Sequence, residues 1–255
     1  SIDLGNSVSK IDSYVFQYCE SLTEIELPQS LTSLGYQAFG DCISLKKAVF
    51  LSETINFNRK IFSGCTSLEE VILPSKITTI TERFFQNCTS LKKISIPETV
   101  TTIYYMAFSD CSSLKSITIP KSVTTIKGSA FYDCTSLESI NLHDDITSLG
   151  EEVFRYCKSL KSIIIPSKLS IIPKNCFWDC ESLTEIIIPE GVTTIEGSAF
   201  SSFSHPERIK IKQRTKRIVA AVLAMAMMCS VNITASAQQN NSNGLILSAN
   251  SLTLT

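Results

Sequence analysis

Residues 111–125 read CSSLKSITIPKSVTT. Leu114, Ile117 and Ile119 follow the phrase L-x-x-I-x-I. Its last part alternates, so Ile117 and Ile119 share one face of a strand and Thr118 points the other way. Pro120 has no N–H to give to a ladder and ends the strand. Val123 and Ile126 follow three apart, and then Ala130, Phe131 and Cys134 at the spacing i, i+1, i+4. That last spacing suits one short helical turn pressing its apolar side inward. The passage therefore predicts a strand, a tight turn, an apolar pair and a helical turn.

The same passage recurs. Cys19, Cys42, Cys65, Cys88, Cys111, Cys134, Cys157 and Cys180 stand 23 residues apart without exception. A Phe precedes each by three positions (Phe16 through Phe177, then Phe200), and a Ser-Leu pair follows, from Leu22 to Leu183. Pro recurs at Pro28, Pro74, Pro97, Pro166 and Pro189, with Leu51 and His143 in the slot otherwise. A fixed period held this long means a solenoid, because one pass cannot bury its apolar face alone and stacked neighbours can. Nine strands are expected, starting near Ile2, Ile25, Ala48, Val71, Ile94, Ile117, Ile140, Ile163 and Ile186. The third pass departs most from the pattern, at Ala48, Leu51, Thr54 and Phe57, and predicts local irregularity.

The L-x-x-I-x-I-P phrase, with C-x-S-L before it and A-F-x-x-C after it, resembles the BspA-like leucine-rich repeats of bacterial surface proteins. The resemblance covers residues 1 to about 200. It implies an α/β solenoid: a leucine-rich repeat of about nine 23-residue turns with one curved parallel β-sheet. It also implies a non-enzymatic adhesion module that binds host or neighbouring-cell proteins on its concave sheet. A cell-surface or secreted bacterial location goes with that function.

The outward middle column of the expected sheet includes Val49, Ile72, Ser95, Thr118, Asn141, Ile164 and Ile187, and these are the candidate partner-binding residues. Four of them are apolar where solvent is expected. They are two sticky spots around a polar centre, or ordinary β-branched filling of strand positions. Beside them, charge alternates between passes in the runs Lys46–Glu69–Lys92 and Lys115–Glu138–Lys161. On adjacent strands such residues become opposite-charge neighbours.

The chain has 255 residues and a formal net charge of −1, which hides an asymmetry. Residues 1–204 hold 17 basic and 23 acidic residues, residues 205–217 hold six basic and one acidic, and residues 218–255 carry no charge. Four segments follow from this. Residues 1–203 are the solenoid and 204–217 a basic linker or n-region. Residues 218–237 are a hydrophobic segment like a signal peptide or membrane span, and 238–255 a polar linker with the start of a truncated β domain. The run RIKIKQRTKR, the apolar IVAAVLAMAMMCSVNI and the A-x-A site formed by Ala235 and Ala237 make a secretory signal, cut before Gln238. The closing LILSANSLTLT is similar to the opening strand of bacterial Ig-like domains. Either the frame joins two genes, or 218–237 is an anchor that would hold the repeats in the cytoplasm as a scaffold. At the other end, Ile2 and Leu4 already occupy the strand slots of Ile25 and Leu27, so a piece of a longer protein is expected.

Ten cysteines invite a disulfide reading, but the repeat opposes it. Equivalent side chains on paired strands run parallel, about 4.8 Å apart, whereas a disulfide needs Cβ atoms about 3.8 Å apart and turned toward each other. A column of buried free thiols is expected, with Cys176 as one more filler in the Ala slot. His143 beside Asp144 and Asp145 reads as a polar turn rather than a metal site. No catalytic, cofactor or metal residues are assigned, and no enzyme activity is expected. The basic run precedes an apolar segment, so no nucleic acid is expected as a partner. A membrane partner enters only through an uncleaved 218–237. A structural stalk is the competing function.

Overall fold

A computed structural model describes residues 2–202, 209–211, 246–248 and 251–253. The main ladder is parallel and advances 23 residues per step. Its strands are Glu24–Leu27, Lys47–Phe50, Glu70–Ile72, Ser116–Thr118, Ser139–Asn141, Ser162–Ile164 and Glu185–Ile188. Ile25 pairs with Ala48, Ile117 with Ile140 and Ile163 with Ile186, as the alternation requires. Ile2 joins Ile25 through a single parallel bridge. Ile209–Ile211 adds a further strand in the same step, with Ile186 opposite Ile209. The ladder thus outlasts residue 203 by one strand, inside the basic stretch expected as a linker.

A second parallel ladder runs beside the first. Its two-residue strands include Lys10–Ile11, Ser33–Leu34, Thr79–Ile80, Thr102–Ile103 and Thr125–Ile126. Threonine hydroxyls reinforce it, as where Thr32 Oγ1 donates to Ser9 O at 2.9 Å.

The third side corrects the expected helical turn, for no helix occurs among the described residues. The Phe-to-Cys stretch is instead a chain of tight turns, with Cys19 N donating to Phe16 O and Leu22 N to Cys19 O. Two residues per coil sit in the left-handed region, for example Tyr14 and Tyr18, Arg83 and Asn87, or Ser129 and Asp133. Non-glycine residues enter that region at a cost of about 1 kcal/mol or more. Three backbone bonds to the next coil hold them there: Tyr14 N to Tyr36 O, Phe16 N to Ala38 O and Tyr18 N to Gly40 O, at 2.9–3.0 Å. A helical turn would direct those N–H groups along its own axis and leave the next coil's carbonyls without donors.

The core lies between these sides. The column phenylalanines stack coil upon coil, from Phe16 on Phe39 at 5.1 Å to Phe177 on Phe200 at 5.5 Å. Phe108 and Phe131 stand within 2° of parallel. The described cysteines are free, and all but Cys19 are buried, Cys176 included. Each column thiol from Cys42 to Cys180 donates to the carbonyl of a phenylalanine one coil back, as Cys65 does to Phe39 O at 3.0 Å. The thiol is therefore a filler and a donor together, and the second role was not legible in the sequence. Burial pushes the Cys88, Cys134 and Cys157 thiols well up.

The irregular third pass is confined to its turn. Lys47–Phe50 pairs fully with Glu24–Leu27. In the following turn the apolar slot moves from the exposed Thr54 to the buried Ile55, and the buried Ser52 hydroxyl donates to Thr54 O at 2.9 Å. The expected signal or anchor segment, with Ala235, Ala237 and Gln238, lies outside the described residues. Within the last stretch Ile246–Ser248 pairs antiparallel with Ser251–Thr253.

Candidate partner-binding face

The main ladder places most of the seven candidate residues in register. Val49 lies between Glu26 and Ile72, Thr118 pairs with Asn141, and Ile164 pairs with Ile187. Alternation turns them away from the core. Ile72 is 47% exposed and Ile164 64%, while Val49 and Ile187 are half-buried and Thr118 and Asn141 exposed.

Ser95 is the exception. Residues 92–97 pair with neither Glu70–Ile72 nor Ser116–Thr118. Strand propensity does not explain this, because Ile94-Ser95-Ile96 repeats the alternation of Ile117-Thr118-Ile119 and Pro97 keeps its slot. The other two sides of this coil are closed. Thr79–Ile80 pairs with Thr102–Ile103, and Phe85 N donates to Ala107 O at 2.8 Å. The interior just before the interruption holds surplus aromatic bulk. Phe84 takes a slot given to alanine in four other coils, and its ring lies 4.9 Å from Phe57, which stands where neighbours have Leu or Ile. Excess core volume forces backbone shifts, and beside Phe57 the second ladder is broken, for Asn56–Phe57 pairs with Ser33–Leu34 but not with Thr79–Ile80. Ile94 is only half-buried, while Ile25, Ala48, Val71, Ile117, Ile140, Ile163 and Ile186 in its column are buried. A cleft of about 1190 Å³ opens there, from Glu69 and Ile72 across Lys92 and Ser95 to Ser116. Openings elsewhere measure about 450 and 300 Å³.

The lateral charge pattern forms in part. Lys161 Nζ meets Glu138 at 2.6 Å and Lys47 meets Glu70 at 3.2 Å. The hydrogen bond from Lys161 holds the Glu138 carboxyl below its ordinary range, and the charges of Lys161 and Lys115 act the same way. Among the described residues, Lys92, Lys93 and Lys115 have no carboxylate within ion-pair distance.

His143 forms the polar turn. Its Nε2 lies 2.7 Å from Pro120 O, and its Nδ1 accepts from Asp145 N at 3.2 Å, so Nε2 carries the proton. Asp145 pairs with Lys168 at 2.7 Å, and Asp144 accepts from Ser167 N. Among the described residues no group of three or more His, Cys, Asp or Glu is placed to hold a metal.

Sequence reasoning missed one cluster on the turn side. The Arg155 guanidinium lies 4.3 Å from the Trp178 ring centre and 4.7 Å from that of Tyr156, and it bonds Glu152 at 2.7 Å. Tyr132, Arg155 and Trp178 stand 23 apart, so the period itself was the available signal.

Comparison with known proteins agrees with this architecture. The family described as BspA type Leucine rich repeat region matches residues 1–115 and 101–229, in six copies. The chain belongs to that family of leucine-rich repeat proteins, a class suited to protein interaction. It is similar to a leucine-rich repeat protein from Bacteroides ovatus, with 30% identity and a TM-score of 0.68 over 79% of this chain. The chain spans 57% of that protein's length. A leucine-rich repeat protein from Eubacterium ventriosum (24% identity, 75% of this chain, 55% of that chain, TM-score 0.54) shares the fold. So does the pneumococcal vaccine antigen PcpA (24% identity, 86% of this chain, 70% of that chain, TM-score 0.50). Comparison with curated proteins gave no match.

Proposed function

We propose that the repeats are a non-enzymatic protein-binding module of a bacterial cell-surface or secreted protein, adhering to host or neighbouring-cell proteins through the main-ladder face. One observation carries the reading. Ile72 and Ile164 are large apolar side chains left 47% and 64% exposed on paired strands. Apolar groups fixed on a rigid face contribute to affinity without an ordering cost. The resemblance to repeats of bacterial surface proteins supports the location. The segment 218–237 is proposed to act as an export signal cut before Gln238, which N-terminal sequencing of a C-terminally tagged product tests.

The functional test is binding of the fluorescent full chain to epithelial and bacterial cells. The variants Ile72→Asp, Thr118→Arg and Ile164→Asp should each weaken binding roughly tenfold, with circular dichroism unchanged. Binding that none of them alters would favour the stalk reading.

A further inference from the structure

We propose that the seam between the coil of residues 135–156 and the coil of residues 158–179 is a hinge, at which the following coils swing about the turn side. The hinge stands whether or not the main-ladder face binds a partner.

Both strand ladders stop at this seam. On the main side Ser139–Asn141 pairs with Ser116–Thr118, and Ser162–Ile164 pairs with Glu185–Ile188, but the two do not pair with each other. On the second side Ser148–Leu149 pairs with Thr125–Ile126, and Ile171–Ile172 pairs with Thr194–Ile195, again with no pairing between them. Every other step between successive coils among the described residues keeps at least one ladder. Where residues 92–97 drop out, the second ladder runs on from Thr79–Ile80 through Thr102–Ile103 to Thr125–Ile126. Where Asn56–Phe57 drops out, Lys47–Phe50 still pairs with Glu70–Ile72.

Pro173 accounts for the second side. In other coils the residue of this slot donates its N–H one coil back: Tyr104 N to Ile80 O, Lys127 N to Ile103 O, Gly150 N to Ile126 O and Glu196 N to Ile172 O, at 2.8–2.9 Å. Pro173 has no N–H to give to Leu149 O. Leu149 is accordingly only half-buried, while Ile80, Ile103, Ile126 and Ile172 in its column are buried. An opening of about 300 Å³ lies there, lined by Leu149, Ile171 and Pro173. The main side is looser too. Lys161 N reaches Glu138 O at 3.3 Å, whereas Lys46, Glu69, Glu138 and Thr184 make the same bond at 2.7–3.0 Å. The Glu138–Lys161 and Asp145–Lys168 pairs cross the seam, but both are exposed, and exposed pairs hold weakly.

The turn side is the pivot. Glu152 N, Phe154 N and Tyr156 N donate across the seam at 2.8–3.0 Å. Phe154 stacks on Phe177 at 5.5 Å, Arg155 lies against Trp178, and Asn175 Nδ2 donates to Glu152 at 3.1 Å. A seam bonded firmly along one side and weakly along two opens about the firm one. Thr118 and Asn141 lie before the hinge and Ile164 and Ile187 beyond it, so its motion changes the curvature of the main-ladder face.

Paired nitroxide labels on the full chain, read by double electron–electron resonance, test this. Thr78, Thr124 and Ser170 are exposed, occupy one column and stand two coils apart. The pair Thr78→Cys with Thr124→Cys spans two closed steps of the second ladder, and Thr124→Cys with Ser170→Cys spans the seam. Cys19→Ser and Cys229→Ser complete the background, and the remaining cysteines are buried and stay unlabelled in the native protein. The Thr124/Ser170 distance distribution should be roughly twice as wide as the Thr78/Thr124 one. Pro173→Lys and Pro173→Glu supply the N–H with residues this slot holds at Lys127 and Glu196, and each should narrow the wide distribution to the control width. Equal widths in the starting chain overturn the hinge, and so does a wide distribution that folded Pro173 variants leave unchanged. The first comparison needs no change at Pro173, so it decides even where both variants fail to fold.

Discussion

The thiol of Cys111 donates to the main-chain carbonyl of Phe85 at 3.2 Å, across the step between two coils. The same carbonyl accepts from Cys88 N at 3.1 Å. The most regular column of the sequence is thus regular because sulfur there fills a small slot and also gives a proton to the neighbouring coil. Cys111→Ala keeps the shape almost unchanged and removes the donor. It should cost about 1–2 kcal/mol in urea unfolding. A change under a few tenths would mean the thiol is filler only.

Thiol chemistry follows the same burial. Burial raises the Cys111 and Cys180 thiols, and thiols that stay protonated react slowly. Among the described cysteines only Cys19 is half-exposed. Mass spectrometry after brief alkylation of native protein should find Cys19 modified first of these nine, and the others modified only on unfolding.

The ring stack bears directly on stability. Phe108 lies between Phe85 at 5.3 Å and Phe131 at 5.4 Å and is fully buried. Phe108→Ala should cost about 3–5 kcal/mol. Coils contact only their neighbours, so the loss should appear as early exchange in the adjoining coils before the ends unfold. Denaturant titration with fragment-level hydrogen exchange checks both.

Asp133 gives a pH dependence with a definite sign. Burial first, and then the charge of Asp110, raise its carboxyl above the ordinary range. The folded state then holds that proton more tightly than the unfolded state, so this residue's contribution to stability falls as pH rises through its titration. Asp133→Asn removes the penalty and suits the left-handed backbone at this position. The variant should be more stable at pH 7 by less than about 1 kcal/mol, since the group is partly screened. The advantage should shrink on acidification, and melting curves at pH 7 and pH 4 test this.

The parts of the fold set by side-chain burial were legible in the sequence. The Phe, Leu and Cys columns, the proline stops and most strand starts follow from which atoms must leave water, and period alone reveals that. The turn side was not legible. Tyr14, Arg83 and Met106 enter the left-handed region against their own preference, because backbone bonds between coils require it. The spacing of Ala130, Phe131 and Cys134 serves a helical turn and this ladder equally well. The candidate face was legible as a column but not as a broken one. Ser95 sits in an unremarkable I-x-I phrase, so its own residues gave no sign of the lost pairing.

Site-resolved hydrogen exchange of the free chain tests the central claim most directly: coils bound by backbone bonds on three sides, with residues 92–97 left out of the main ladder. The account predicts slow exchange at Phe39, Phe62, Phe85 and Phe108, whose N–H groups reach the next coil. It predicts fast exchange at Lys93, Ile94, Ser95 and Ile96, between slow amides in Glu70–Ile72 and Ser116–Thr118. Protection of residues 93–96 equal to that of the flanking strands would contradict it, and so would fast exchange at the phenylalanine amides.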